Sequence, residues 1–131
     1  MKKLLFLFIP LGILFACEKP LWDYRVKYIG TYEVTAIHTS WIMGQTSSID
    51  TSYYEVNIRR SEDLYCLIFK SNQGESQRLI EKDGTLHFTS ADWHYHESGR
   101  FTSKNTFNLS GGYYGLGGGS SFTLVGLKKV S

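Results

Sequence analysis

Ser76-Gln77-Arg78-Leu79-Ile80-Glu81-Lys82-Asp83-Gly84-Thr85-Leu86-His87-Phe88-Thr89 holds two short strand-like runs around Lys82-Asp83-Gly84. An Asp-Gly pair tolerates the positive φ angles of a type I′ turn. The stretch therefore predicts an antiparallel hairpin, with strands over 76–81 and 85–89. Working outward, the same alternation recurs. Tyr54, Val56 and Ile58 alternate with Glu55, Asn57 and Arg59 over 52–60. Tyr32, Val34 and Ala36 alternate with Thr31, Glu33 and Thr35 in a strand from 28 to 38 that can run on to Met43. In each case the first set faces inward. Leu64-Tyr65-Cys66-Leu67-Ile68-Phe69 is apolar on both faces, which predicts a central or covered strand.

Downstream, strands are expected over 92–96, 100–110 and 122–130, with a turn at Glu97-Ser98-Gly99 and a break at Ser103-Lys104-Asn105. No run of ten or more residues carries a 3.6-residue period. The expected fold is all-β: a small antiparallel eight-stranded meander barrel, or alternatively a two-sheet β-sandwich. Parallel pairing would need long crossovers that these short connections do not provide. An eight-stranded barrel has room for packed side chains or one small ligand.

With 131 residues, 42% hydrophobic and 20% charged, the chain is long enough for one globular domain and too short for a large α/β enzyme. Its first residues read as an address. Met1-Lys2-Lys3 precedes the apolar run Leu4–Ala16, which Pro10 and Gly12 interrupt and Cys17-Glu18-Lys19-Pro20 closes. That is the pattern of a secretory signal, too short for a spanning helix. Leu14-Phe15-Ala16-Cys17 resembles a bacterial lipobox. The resemblance implies that residues 1–16 are removed and that Cys17 becomes the acylated first residue, with 17–27 as a lipidated start and short tether. The domain would then be 28–131. Two or more acyl chains hold a protein stably at a membrane, where one does so only reversibly. Loss of Lys2 and Lys3 lowers the 14 basic side chains to equal the 12 acidic ones, so no basic excess remains for nucleic acid.

The remainder resembles the small lipocalin-like lipoproteins of Bacteroidetes-type bacteria, largely uncharacterised families. The resemblance rests on Gly30-Thr31-Tyr32-Glu33-Val34, Glu81-Lys82-Asp83-Gly84-Thr85-Leu86, Ser98-Gly99-Arg100-Phe101, Asn105-Thr106-Phe107 and Gly126-Leu127-Lys128-Lys129-Val130. True lipocalins carry Gly-x-Trp near the first strand, where this chain has Tyr32. The family implies a lipid-anchored protein of the bacterial outer membrane, at its periplasmic face or the cell surface.

Functional candidates are few. The Gly-rich stretch 111–120 is expected to be a mobile rim loop that presents Tyr113, Tyr114 and Leu116, or else an extension of the preceding strand. Trp41, Ile42 and Met43 lie beside the polar turn 44–50. Trp41, Met43, Tyr113, Tyr114 and Leu116 are the candidate ligand contacts, since Tyr and Trp offer large amphipathic area at low entropic cost. His94 and His96 share a strand face, and His87 on the preceding strand would complete a three-His metal site if the register allowed. The plainer reading is a wet outer face, with Trp93 and Tyr95 inward. Cys66 is expected to be a small buried hydrophobe. Neither a Gly-x-Ser-x-Gly, a His-Glu-x-x-His nor a phosphate loop is present, so no catalysis is expected. The leading expectation is a binding or envelope-interaction module with no cofactor besides the lipid. The alternatives are a lipocalin-type carrier of a small apolar molecule, lined by residues such as Tyr32, Val34, Tyr54, Val56 and Phe107, and a His-based metal module.

Overall fold

The computed structural model describes residues 23–88 and 94–130. A short 3-10 helix, Tyr24–Tyr28, precedes eight strands. They are β1 (Gly30–Ile42), β2 (Ser48–Arg60), β3 (Cys66–Ser71), β4 (Gly74–Ile80), β5 (Thr85–His87), β6 (Tyr95–Ser103), β7 (Thr106–Gly115) and β8 (Gly118–Lys128). All pairs are antiparallel, and β1 meets β8 to close a barrel in sequence order. The barrel is the expected fold; the sandwich is not formed. Residues 1–22, with Cys17 and the signal-like segment, and residues 89–93, with Asp92 and Trp93, lie outside the described residues.

Alternation puts Tyr32, Val34, Val56, Ile58, Leu67, Phe69, Ile80, Leu86, Phe101, Phe107 and Leu109 into one core with Tyr28. Tyr28 stacks on Phe101, with ring centroids 4.1 Å apart, and Phe69 meets Phe107 edge-on at 5.7 Å. Tyr32 is wholly buried and donates its hydroxyl to the Tyr28 carbonyl at 2.8 Å. Burial pushes its phenol well above the usual tyrosine range.

Residues 23–27, expected as tether, pack onto the barrel through the 3-10 helix, with Arg25 buried. Arg25 is buried, pairs with Asp23 at 2.8 Å, and donates to the carbonyls of Ser61, Asp63 and Cys66. One guanidinium thus satisfies three carbonyls around the β2–β3 turn. Tyr24 adds a hydroxyl bond to the Ile80 carbonyl at 2.9 Å. Cys66 is a buried free thiol, as its apolar run implied.

Several boundaries differ from the sequence expectation. The Asp83-Gly84 hairpin forms, but only Gly84 has positive φ, at 93°. Glu81 bonds Gly84 and Thr85 in the pattern of a type I turn with a glycine bulge, not a type I′ turn. Leu64 and Tyr65 are exposed in a turn because Asp63 accepts from the Tyr65 and Cys66 amides, so β3 starts later. Glu97-Ser98-Gly99 is not a turn. It runs through β6, where Gly99 leaves room for the Leu109 side chain across the ladder. The chain turns at Lys104-Asn105, within the break expected at Ser103-Lys104-Asn105. The Gly-rich stretch is not a mobile loop: Gly111–Gly115 and Gly118–Ser120 pair as strands, with only Leu116 and Gly117 between them. Those glycines make room for rings. A Cβ at Gly119 would lie 2.5 Å from the Trp41 indole, and one at Gly112 3.1 Å from the Tyr114 ring.

Candidate functional site at the open end

The end opposite the 3-10 helix is built from the β1–β2, β3–β4 and β7–β8 connections. Among the described residues, neighbouring strands pair over unequal lengths at this end. β2 pairs with β3 only from Asn57 to Arg60, and β4 with β5 only at Leu79 and Ile80. Above those points the β3–β4 hairpin stands beside its neighbours without a backbone ladder among the described residues.

Inside this half of the barrel sits a polar constellation. Arg78 on β4 faces inward by the same alternation that buries Ile80. Its Nε donates to Glu97 Oε1 at 2.5 Å, its Nη2 to Glu97 Oε2 at 3.3 Å, and its Nη1 to Ser76 Oγ at 2.6 Å. The Arg78 and Glu97 side chains are only 11% and 3% exposed. Tyr95 donates its hydroxyl to the same carboxylate at 2.7 Å. Burial, reinforced by that bond, raises the Tyr95 phenol far above its ordinary range, so it stays a neutral donor. The guanidinium also lies over the rings of Phe69 and Phe88, at 4.7 and 5.7 Å.

Beside this constellation is a cavity of about 250 Å³. Val56, Phe69, Phe107, Leu109 and Leu124 give it an apolar floor; Tyr54, Ser76 and Arg78 give it a polar wall. Burial also raises the Tyr54 phenol, against the opposing pull of Arg78. Tyr54, Val56 and Phe107 therefore stand where a ligand-lining role was expected, while Tyr32 and Val34 lie in the filled core. Because Glu97 already balances Arg78, the cavity wall carries no net charge from this pair.

The rim gathers the five candidate contacts from two hairpin tips. Trp41 and Tyr114 have ring centroids 5.6 Å apart. The Met43 amide donates to the Gly117 carbonyl at 2.9 Å, which ties the tips together. Met43 and Leu116 are 81% and 105% exposed, and Ile42 and Tyr113 are also exposed. Trp41 and Tyr114 lie on the outer wall over Gly119 and Gly112, so they flank the rim and do not line the cavity.

His87, His94 and His96 lie on the outer face. His96 stacks on Tyr114 at 4.9 Å, His94 Nδ1 is 3.0 Å from the Tyr114 carbonyl, and His87 Nε2 is 3.2 Å from Glu81 Oε1. Glu97, two residues from Tyr95 on the inner face, is turned away from them. Among the described residues no three His, Cys, Asp or Glu side chains are grouped to hold a metal ion.

The Arg78–Glu97 pair was not anticipated, because Glu97 read as a turn residue. Its one sequence signal is inward phase: Arg78 shares the phase of Ile80, and Glu97 that of Tyr95.

No family model and no curated protein matches the chain. Among solved structures, a redesigned beta barrel matches with a TM-score of 0.50 at 15% identity, over 86% of this chain and 100% of that one. An S-type phycobiliprotein lyase from Guillardia theta matches with a TM-score of 0.48 at 10% identity, over 87% of this chain and 95% of that one. The first likeness is one of fold alone. The chain is a closed, lipocalin-like, eight-stranded antiparallel β-barrel. No helix among the described residues is long and apolar enough to cross a membrane.

Proposed function

We propose that this chain is a lipid-anchored binding module of the bacterial outer membrane, without catalysis, which presents the open end of its barrel to an envelope protein. The observation that carries the binding role is the joined pair of hairpin tips. The Met43–Gly117 bond holds Ile42, Met43, Tyr113 and Leu116 in one exposed apolar rim. Apolar groups held in water by a rigid scaffold are stabilised when a partner covers them. The anchor rests on the signal-like Met1–Ala16 run and the lipobox resemblance at Cys17. The chain enters the barrel at Asp23–Tyr28, at the end away from the rim, which suits an anchor on that side.

A second reading is favoured by the cavity of about 250 Å³. Ligand pockets begin at about 300 Å³, so the occupant would be a small, mostly apolar molecule with one hydrogen-bonding end. Arg78 is already paired with Glu97, and the Glu75 carboxylate also lines the cavity, which argues against a fatty carboxylate as that occupant.

Native mass spectrometry of the full chain, extracted from its own membrane, tests both readings. The anchor predicts a species that begins at Cys17 and carries added acyl mass; an intact Met1 terminus removes it. A releasable mass of a few hundred daltons supports the carrier. Its absence, with cross-links from the rim to one envelope protein, supports the interaction module.

A further inference from the structure

β7 and β8 carry no charged side chain from Thr106 to Leu127. Their outward residues and those of β6 stand in rows set by the register. The top row has Tyr114 and Trp41 on either side of Gly119. Lower rows place Ser98, Ser110 and Thr123 side by side, and then Arg100 beside Asn108. From Tyr114 to Asn108 the face runs for about 20 Å at the usual rise per residue.

Glycine lets the rings lie on the wall. The Trp41 indole covers Gly119 and the Tyr114 ring covers Gly112, which is buried although it is on the outer side. His96, opposite Gly112, stacks on Tyr114. Tyr114 is still 41% exposed. A groove of about 290 Å³ runs from Tyr114 and His96 to the Ser98–Ser110–Thr123 row. A second groove, of about 580 Å³, shares that row and continues to Arg100 and Asn108. The grooves exist because the side chains of the middle row are small. Ser98, Ser110 and Thr123 are exposed, and among the described residues no protein group bonds their side chains.

Three features define the occupant. It is neutral, since Arg100 alone brings a charge to these rows. It is rich in hydroxyl or amide groups, because hydroxyls and Asn both donate and accept. It offers a flat C–H face to the electron-rich face of a ring. A nucleic acid fails the first condition, for its phosphates need several cations. An extended peptide finds no strand edge here, because β7 and β8 are paired on both sides. A chain of pyranose rings meets all three.

We infer that the outer face of β6, β7 and β8 binds a neutral oligosaccharide. One sugar ring packs on Tyr114, and the next lie over the Ser98–Ser110–Thr123 row toward Asn108 and Arg100. This site is separate from the exposed tips at Met43 and Leu116 and from the interior cavity, and it does not depend on the reading above.

The test uses the full chain in detergent, titrated with cellotetraose, maltotetraose, mannotetraose and chitotetraose, and with tetragalacturonate as the anionic counterpart. Calorimetry and amide NMR are the readouts. At least one neutral tetrasaccharide is expected to bind at least tenfold tighter than tetragalacturonate and to shift amides in 96–100, 108–114 and 119–123. Tyr114→Ala should weaken binding at least tenfold, while Tyr114→Phe, which keeps the ring, should retain it. Ser110→Glu, an exposed change that puts a charge in mid-groove, should also weaken binding at least tenfold with an unchanged melting temperature. Absence of binding by every neutral tetrasaccharide at millimolar concentration overturns the inference. So do unchanged affinity in Tyr114→Ala, tighter binding of tetragalacturonate, and amide shifts confined to the interior cavity or to 42–43 and 116–117.

Discussion

Arg78 and Glu97 are joined across a seam where β5 no longer runs between their strands. β5 ends at His87, opposite Leu79 and Ser98, one residue short of both partners. The ion pair, at 2.5 Å, bridges β4 to β6 where no backbone ladder joins them among the described residues. Both charges are almost wholly out of water, so each depends on the other for solvation.

Removal of one partner should therefore cost far more than removal of both. Glu97→Ala leaves a buried guanidinium unpaired and is expected to lower unfolding free energy by about 3–5 kcal/mol. The double change Arg78→Met with Glu97→Leu should come within about 1–2 kcal/mol of the parent. Urea unfolding of the two variants and the parent measures the difference. Equal losses would show that the pair is not coupled.

The Asp23–Arg25 contact makes a prediction about acid. Hydrogen bonding to Arg25, against an opposing effect of burial, holds the Asp23 carboxyl down to about 2. Its folded value lies below its unfolded one, so the stabilisation is complete above about pH 4 and is lost as pH falls toward 2. Because Asp23 is 20% exposed, screening holds the expected effect to about 1–2 kcal/mol. Asp23→Asn should flatten this acid limb and lower stability at pH 7, as read from unfolding midpoints between pH 2 and 7.

Gly126 lies opposite Phe107 in the β7–β8 ladder, and any Cβ there would overlap the Phe107 ring. Gly126→Ala is expected to cost about 1–3 kcal/mol through overpacking. Phe107→Leu in that background should recover part of the loss. Thermal melts of the two variants check this.

At the rim the expectation reverses. Met43→Ser and Leu116→Ser remove side chains that are almost fully exposed, so stability should change by less than about 0.5 kcal/mol. Cross-linking to an envelope partner should fall severalfold if the rim is the docking surface. Unchanged cross-linking would move the docking surface elsewhere.

The inward phase of Tyr32, Val34, Val56 and Ile58 was legible in the sequence because a strand repeats every two residues. Short connections made the neighbours antiparallel. The turn at Asp83-Gly84 and the buried place of Cys66 were legible for the same local reasons. The rim residues could be named but not brought together, since Met43 and Gly117 meet only when β1 closes on β8. Glycine misled twice. At Gly99 and across 111–120 it relieves crowding against Leu109, Tyr114 and Trp41, a demand set by the neighbouring strand. Arg25, which reads as part of a polar leader, became a buried clamp only once the β2–β3 turn placed three carbonyls around it. The sequence by itself determined which side of each strand faces the core, because that depends on residues two apart. The tertiary structure alone decided the Arg78–Glu97 bridge and the cavity beside it. Those depend on where pairing stops between strands of unequal length, and no local pattern encodes that.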